Sequence, residues 1–335
     1  MTRSVRNLKL DLITVKVSYK FLIISYHLDK SIDDENTHPL YGIMCYWGFC
    51  LIFTLSFALV KLLYRLNPEA TFIDNMLWKC IVTTICYWIA SKIKGIEIFN
   101  IERKLFMFLC LRLLFGVSTM ILLTYTIHYV SMSTFTLIIN MSPFYIAIFG
   151  YYILNESITN LEILLMFIGF GGIYFVCSSK VDNQGEDQIF GVILMVFTSV
   201  TAALSSIFLR KVNKEMHPLH APIFLFFVTG CYSVIYMIFN PEYIPKVHKY
   251  SLSQWIVILW GTQTAFVSQF LFSSAFAYEK ASRLAPYMYL EVVFGILEDL
   301  FIFQINFTLQ QAWGITVISI WLLIPAFMKY YGHLR

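Results

Sequence analysis

The stretch from Leu109 to Ser157 reads LCLRLLFGVSTMILLTYTIHYVSMSTFTLIINMSPFYIAIFGYYILNES. Two long apolar segments follow each other here with almost no loop between them. Polar residues interrupt them: Arg112 in the first segment, Asn140 and Ser142-Pro143 in the second, and Glu156 at its end. Ionisable residues inside membrane-spanning segments are costly and mark functional sites. The stretch therefore predicts a membrane hairpin that contributes residues to such a site.

The composition of the whole chain is that of a membrane protein. Of its 335 residues, 59% are hydrophobic and 13% are charged, whereas about a quarter of a soluble domain is charged. The apolar residues fall in repeated blocks of about 20, the length that spans a bilayer core. We predict an all-α integral membrane protein with ten transmembrane helices. They are placed at about 41–64, 70–91, 104–126, 131–153, 160–178, 189–210, 219–239, 253–277, 284–303 and 311–330.

The distribution of basic residues predicts the orientation. With the N-terminus inside, seventeen Lys and Arg fall in the inner segments and five in the outer loops, which is the positive-inside bias of membrane proteins. Both termini are therefore predicted to be cytosolic, and residues 1–40 form a basic tail and linker. The sequence leaves open whether the membrane is the plasma membrane or an endomembrane. Basic residues placed beside apolar blocks give no case for nucleic acid binding.

The second half of the chain repeats the first at a shift of 149 residues. Tyr41-Gly42 falls on Phe190-Gly191 at this shift, and the register holds to the end of each half. The halves, 41–178 and 189–330, contain five predicted helices each, so the second copy enters the membrane in the opposite direction. Inverted repeats are common in secondary transporters, whose substrate site lies near the midplane between the halves.

Several residues of the first half form a family pattern. They are Arg112-x-x-x-Gly116, Tyr125, Ser131, Ser142-Pro143 and Glu156. The chain resembles the EamA-type members of the drug/metabolite transporter superfamily, and Lys79-Cys80 makes it most similar to the G-type members of solute carrier family 35. The resemblance implies ten helices in two inverted halves, alternating access, and a small metabolite such as a nucleotide sugar, an amino acid or an organic anion as substrate. It is weaker in the second half, where Ile305 and Val292 occupy the positions of Glu156 and Pro143.

The candidate substrate-binding residues are polar groups inside the predicted helices. They are Lys79, Arg112, Tyr125, Asn140, Ser142, Tyr289 and Glu291. Two basic side chains on neighbouring helices suit an acidic substrate, because they bind carboxylate or phosphate groups. Glu291 falls on Ser142 at the shift of the repeat, and it suits either a coupling proton or the neutralisation of a basic residue.

Structural roles compete with these functional ones. Arg112 could instead reach the cytosolic interface or pair with a carboxylate in the fold. Pro143 could cause a simple kink that Ser142 satisfies. For Glu156 we favour a cap of the following helix, near Thr159, over substrate contact.

The predicted function is a secondary transporter of a small polar or anionic metabolite, either proton-coupled or an exchanger. The alternative is a non-transporting regulator or scaffold that keeps the fold and binds a partner through its basic tail. The predicted partners are the small-molecule substrate and the lipid bilayer, and a homodimer is left open. No catalytic pattern, cofactor motif or metal spacing is found in the sequence, so neither an enzyme nor a cofactor is predicted.

Overall fold

The computed structural model describes residues 40–66, 71–126, 138–177, 186–245 and 250–302, together with parts of 304–320. The long helices of the first half are α1 (Tyr41–Leu66), α2 (Phe72–Ile93), α3 (Arg103–Thr126), α4 (Ser142–Leu154) and α5 (Asn160–Cys177). The α-helices of the second half are α6 (Glu186–Asn213), α7 (His220–Phe239), α8 (Leu252–Tyr278), α9 (Ala281–Leu284) and α10 (Leu290–Phe301), of which α9 is a single short turn. Two 3₁₀ segments, Pro241–Tyr243 and Ala285–Tyr289, complete the described elements.

Six of these helices, α1, α2, α3, α6, α7 and α8, are long and apolar enough to cross a bilayer, and α4 and α5 are shorter apolar helices. Large apolar side chains such as Leu114, Phe197 and Phe227 are exposed on the outside of the bundle, while polar ones such as Gln263 and Ser274 are buried. A soluble protein rarely exposes so much contiguous apolar surface, whereas lipid covers it without cost. The chain is therefore a multi-pass membrane protein.

Pairs of helices from different halves form the bundle. α1 packs along α8 and against α10, while α3 packs along α6 and against α7. α2 lies against α7 and α8, and the buried Tyr87 hydroxyl of α2 donates a 2.8 Å hydrogen bond to the Phe266 carbonyl of α8. α4 packs on α6 and on α9. No described helix is thus buried by its own half alone.

Local sequence explains several helix ends. Ser251 and Gln254 form a reciprocal capping box at the start of α8. Thr159 and Glu162 do the same before α5, with bonds of 2.8 and 3.2 Å. Each pair satisfies two backbone N–H groups that have no partner inside the helix. At the end of α4, Asn155 takes the left-handed conformation (φ 53°) that stops a helix.

The predicted helix bounds agree with the described helices to within a few residues, except in the predicted fourth helix, where α4 begins only at Ser142, and in the predicted ninth helix. We predicted one helix over 284–303, but the structure shows α9, the 3₁₀ segment Ala285–Tyr289 and then α10. The continuous helix is therefore wrong, and the interruption matters for the site described below. The tail at 1–39 lies outside the described residues, as does most of the predicted tenth helix.

The loop after α2 contacts the turn between α6 and α7. The His220 ring lies 3.4 Å from the Glu97 carbonyl and 3.1 Å from the His217 carbonyl. His217 accepts a 3.3 Å bond from the Leu219 N–H on Nδ1, so its ring is held in the neutral form. Burial, together with the charges of Lys94 and His220, lowers the pKa of His217 to about 4.

The folded protein is expected to lose stability below pH 6.5 in part through His217. In the unfolded chain this histidine takes up a proton near its ordinary pKa of 6.5, but in the fold it does so only near 4. Lowering the pH through this window therefore favours the unfolded chain. His217→Asn should reduce the fall in melting temperature between pH 7 and pH 4.5, measured in detergent. An equal fall in the wild-type protein and the variant would contradict this assignment.

Candidate functional site

The predicted ninth helix is interrupted inside the bundle. The 3₁₀ segment Ala285–Tyr289 contains Pro286 and separates α9 from α10. Proline has no N–H to donate to the preceding turn, so the α-helical ladder is broken here. Irregular backbone at membrane depth is tolerated where protein buries it or where it lines a cavity.

The predicted fourth helix is interrupted in the same way. Ile138 and Ile139 are helical, Asn140 and Met141 form a turn, and α4 begins at Ser142. The bonds across the turn, Met141 N–H to the Ile138 carbonyl and Phe144 N–H to the Met141 carbonyl, are of the tighter 3₁₀ type. Pro143 therefore lies in the first turn of a new helix, where its missing N–H costs nothing. The simple kink considered from the sequence is not what forms.

The two interruptions contact each other. The Ser142 hydroxyl lies 3.8 Å from the Met288 sulfur, and α4 packs on the 3₁₀ segment. At the shift of 149 residues, Asn140 corresponds to Tyr289 and Ser142 to Glu291. Equivalent points of the two halves are therefore both irregular, and they meet in the middle of the bundle.

Glu291 lies in the first turn of α10 beside this contact. Its carboxylate faces Tyr46 and Cys50 of α1, and the Cys50 thiol donates to the Tyr287 carbonyl at 3.6 Å. No described residue forms an ion pair or a hydrogen bond with the Glu291 side chain. An acidic group in a helical bundle with no such partner is available to a proton or a substrate.

Three buried donors surround the same region without a hydrogen-bond partner among the described residues. They are the hydroxyls of Tyr46 and Tyr287 and the indole N–H of Trp47. The rings of Trp47 and Tyr287 pack edge to face, with centroids 6.1 Å apart. Leaving a buried donor unsatisfied costs about 1–3 kcal/mol, so three in one place indicate groups that a bound molecule or water satisfies. None of the three was predicted, because an aromatic residue in an apolar helix gives no signal that separates packing from binding.

Tyr289 was predicted to bind substrate, and in the structure its side chain is directed at α5. Its hydroxyl donates to the Met166 carbonyl of α5 at 3.1 Å. Its ring covers Gly169, which has no side chain to prevent the close approach. In this structure Tyr289 thus anchors the 3₁₀ segment to α5.

Arg112 is buried between α3 and α6, with 5% of its surface exposed. Its guanidinium donates to the Ser205 hydroxyl of α6 and lies over Gly116, where a Cβ atom would approach Nη1 to 2.9 Å. The pattern Arg112-x-x-x-Gly116 therefore has a steric reason. Within the described ranges, no carboxylate pairs with Arg112, and its burial between two helices does not fit a side chain that reaches the cytosolic interface. The two structural roles considered for Arg112 from the sequence, contact with the cytosolic interface and pairing with a carboxylate, therefore both differ from the bond to Ser205 that the structure shows.

The remaining predicted residues are distributed over the bundle. The Lys79 ammonium group donates to Ser56 of α1 at 3.3 Å, between α1 and α2. Asn140 is buried at the first interruption. Tyr125 lies in α3, but its side chain is outside the described ones. Asn140, Ser142 and Glu291 are thus brought to the interruptions, while Lys79 and Arg112 each occupy a separate helix interface.

Glu156 was predicted to cap the next helix, and this is wrong. Thr159 and Glu162 form that cap. Glu156 instead pairs with Arg210 at 3.2 Å and with Lys214 at 3.5 Å, and it accepts the backbone N–H of Ala281 at 2.9 Å.

A second set of charges continues this group. Arg283 pairs with Glu279 at 2.9 Å and with Glu162 at 3.9 Å. We call the six residues the ionic cluster: Glu156, Glu162, Arg210, Lys214, Glu279 and Arg283. The orientation predicted from the sequence puts the loops that carry these residues on the same side of the membrane. This shared side was the feature of the sequence from which their pairing could have been predicted.

Comparison with known proteins agrees with this architecture. The model of the EamA-like transporter family matches residues 40–178 and again residues 189–324. The chain therefore belongs to the EamA-like transporter family. The family and the named relatives are transporters, not enzymes.

The relatives are distant but span most of the chain. An uncharacterized transporter from Helicobacter pylori is 21% identical over 302 residues, covering 87% of this chain and 97% of the relative. The pseudopaline exporter CntI of Pseudomonas aeruginosa is 21% identical over 244 residues, covering 72% of this chain and 81% of the exporter. A solved crystal structure with 13% identity superposes with a TM-score of 0.70 over 84% of this chain and 96% of that one. The last likeness shows the fold alone.

Two glycines of α5 test the position of Tyr289. Gly169→Ala adds a methyl group into the Tyr289 ring, so it should lower the melting temperature by several degrees, as overpacking by about 1–3 kcal/mol does. Gly171→Ala, two residues away, meets no atom within 4 Å. It should leave the melting temperature unchanged or raise it, because Ala favours a helix over Gly. Equal effects of the two substitutions would place Tyr289 elsewhere.

Proposed function

We propose that this chain is a secondary transporter that carries a small polar or anionic metabolite by alternating access, through a site where its two interrupted helices meet. The observation that carries the proposal is the contact of Ser142 with Met288, one turn from Glu291, which has no ion-pair partner among the described residues. Discontinuous helices that meet between two halves are the usual frame of a transporter's substrate site.

The arrangement of helices supports an inverted repeat with ten helices. At the shift of 149 residues, the start of α3 falls on the start of α8, and α1 falls on α6. α1 pairs with α8 just as α6 pairs with α3, and α2 pairs with its own equivalent α7. Exchanging the two halves therefore reproduces the same set of helix pairs. A pseudo-two-fold axis in the membrane plane gives this pattern, and it fits halves at 41–178 and 189–330 with both termini cytosolic.

The groups at the interruptions favour a substrate with both acceptors and donors. The Tyr46, Trp47 and Tyr287 donors can bind a carboxylate or hydroxyl oxygen, and Glu291 can accept from an amine or hydroxyl group. Lys79 and Arg112 contribute to an anion site only if they leave their serine partners during transport. The described geometry thus supports the polar part of the proposal more directly than the anionic part.

Glu291 is the proposed coupling group. A carboxylate among apolar helices binds a proton more readily than one in water. Protonation during one half of the cycle would then link substrate movement to a pH gradient. If the substrate itself neutralises Glu291, the same site works as an exchanger.

The proposal also includes the subfamily, the direction of transport and the oligomeric state. Lys79-Cys80 supports kinship with the G-type members of solute carrier family 35. The name of the Pseudomonas relative supports export as the direction of transport. A second copy of the chain is a proposed partner in a homodimer.

The competing function is a regulator or scaffold that binds a partner through residues 1–40. Deletion of residues 1–35 separates the two. A transporter lacking the tail should keep most of its uptake, whereas a scaffold should lose its partner.

The substrate can be found with the purified full-length protein. A panel of amino acids, nucleotide sugars and organic anions is screened for thermal stabilisation, and each hit is tested for uptake into proteoliposomes with and without an imposed pH gradient. A ligand at 100 times its Kd stabilises the fold by about 2.7 kcal/mol, enough to raise the melting temperature. If no panel member both stabilises the protein and is transported, the carrier proposal fails.

Glu291→Gln should reduce gradient-driven uptake by about tenfold or more, because the amide cannot carry the proton, while exchange of labelled for unlabelled substrate continues. Glu298→Gln is the matched control. Glu298 lies on the same helix and accepts a 2.8 Å bond from Thr54, which the amide oxygen of Gln can still accept. Its uptake should stay within about twofold of wild type. Gradient-driven uptake that survives Glu291→Gln would remove the coupling role.

A further inference from the structure

The ionic cluster joins the two halves at one end of the bundle. Glu156 and Glu162 flank the link between α4 and α5 in the first half. Arg210 and Lys214 end α6, and Glu279 and Arg283 flank the link between α8 and α9 in the second half. Both acids of the first half pair with bases of the second. These pairs therefore exist only while the two halves are together at this end.

The cluster is balanced and almost completely enclosed. It holds three acids and three bases, and five of its six residues are buried. Arg210 also donates two 2.7 Å bonds to the last carbonyls of α8, at Phe276 and Ala277. Only Lys214 is substantially exposed, with 38% of its side chain accessible. Lys214 therefore marks the side from which water can reach the pairs.

The cluster lies directly below the proposed substrate site. The Tyr287 side chain lies near the charges of Glu279 and Arg283. Its backbone carbonyl accepts a hydrogen bond from the Cys50 thiol. Trp47 packs on Tyr287, and Tyr46 packs on Phe272 and Phe276. The start of α1 closes the same end, because a Cβ atom on Gly42 would lie 2.9 Å from the Glu279 Cβ. A layer of aromatic rings thus separates Glu291 from the ionic cluster.

We propose that the ionic cluster is the gate at this end of the transport pathway, shut in the present structure, and that opening breaks the Glu156–Arg210 and Glu162–Arg283 pairs together. This inference rests on the proposed function only for the claim that a substrate passes the gate. The opening of the ionic cluster is a property of the fold and can be measured without a substrate. In this view the residues of the cluster position the halves and do not touch the substrate.

Cys50 reports the opening without any substrate. It is fully buried and donates to the Tyr287 carbonyl at 3.6 Å, so its thiol reacts with a water-soluble maleimide only after the helices around it separate. The reporter protein keeps Cys50 and has the other six cysteines replaced by serine. A second reporter keeps only Cys80, which is buried between α2 and α7 near Gly230. Both full-length proteins are placed in lipid nanodiscs and their labelling rates are measured.

Glu156→Gln and Arg283→Gln should each speed the labelling of Cys50 by about tenfold or more, which corresponds to about 1.4 kcal/mol in the opening equilibrium. The labelling of Cys80 should not change. Glu215→Gln is the matched control, since Glu215 is an exposed acid next to Lys214, and it should leave both rates unchanged.

Two outcomes decide against the gate, and a third decides against the transporter proposal alone. Unchanged Cys50 labelling in both variants would show that the pairs do not hold this end shut. Equal acceleration at Cys50 and Cys80 would show that the cluster supports the fold as a whole. Faster labelling at Cys50 alone, in a protein that transports nothing, would keep the gate and overturn only the transporter proposal.

Discussion

The pairing of Glu156 with Arg210 is the interaction on which the arrangement of the two halves depends. A single carboxylate at the end of α4 reaches the end of α6 and the first N–H of α9, while its arginine partner reaches the last carbonyls of α8. A buried ion pair adds little net stability compared with apolar packing, but removing one partner costs about 3–5 kcal/mol. Its effect is therefore to select one arrangement of four helix ends and to penalise the others.

The same constraint explains where the other charges lie. A charge among apolar helices must find a partner, and Arg112 and Lys79 find serine hydroxyls across helix interfaces instead of carboxylates. Among the described side chains no carboxylate pairs with either group, unlike in the balanced ionic cluster. The first half therefore contains two basic groups that hold α3 to α6 and α2 to α1 in this state. Glu291, which also has no described ion-pair partner, lies on a different helix of the other half.

Much of the architecture could be predicted because it depends on short-range properties of the sequence. The length of an apolar run fixes a membrane helix, so the prediction of 253–277 for α8 differs from Leu252–Tyr278 by one residue at each end. The shift of 149 residues aligned Ser142 with Glu291, and both lie in the first turn of a helix that follows an interruption. Side-chain direction could not be predicted in this way. Tyr289 turns towards Gly169 of α5 because that glycine leaves room for its ring, and only the packed fold brings the two together.

The interruption at Ala285–Tyr289 and the role of Glu156 were missed for related reasons. Pro286 near the start of a predicted helix is compatible with an ordinary first turn, and only packing against α4 and α5 shows that the segment is a break. Glu156 and Thr159 have the spacing of a cap, but Glu162 outcompetes Glu156 because it lies three residues after Thr159, the geometry of a capping box. Glu156 therefore forms its ion pair with Arg210, which is 54 residues away in the chain.

The proposed repeat is unequal at the ionic cluster. The position equivalent to Glu156 in the second half is Ile305, so the acid that joins the halves at one end has no counterpart at the other. If the halves exchange conformations, as an inverted repeat requires, the two ends of the pathway are closed by different forces. The end with the ionic cluster is closed by charge pairs that water can replace, whereas the equivalent position in the sequence of the second half has no carboxylate. The free energy of closing the end with the ionic cluster then depends on salt concentration, and the proposed two-fold symmetry of the helices does not make the two closed states equal in free energy.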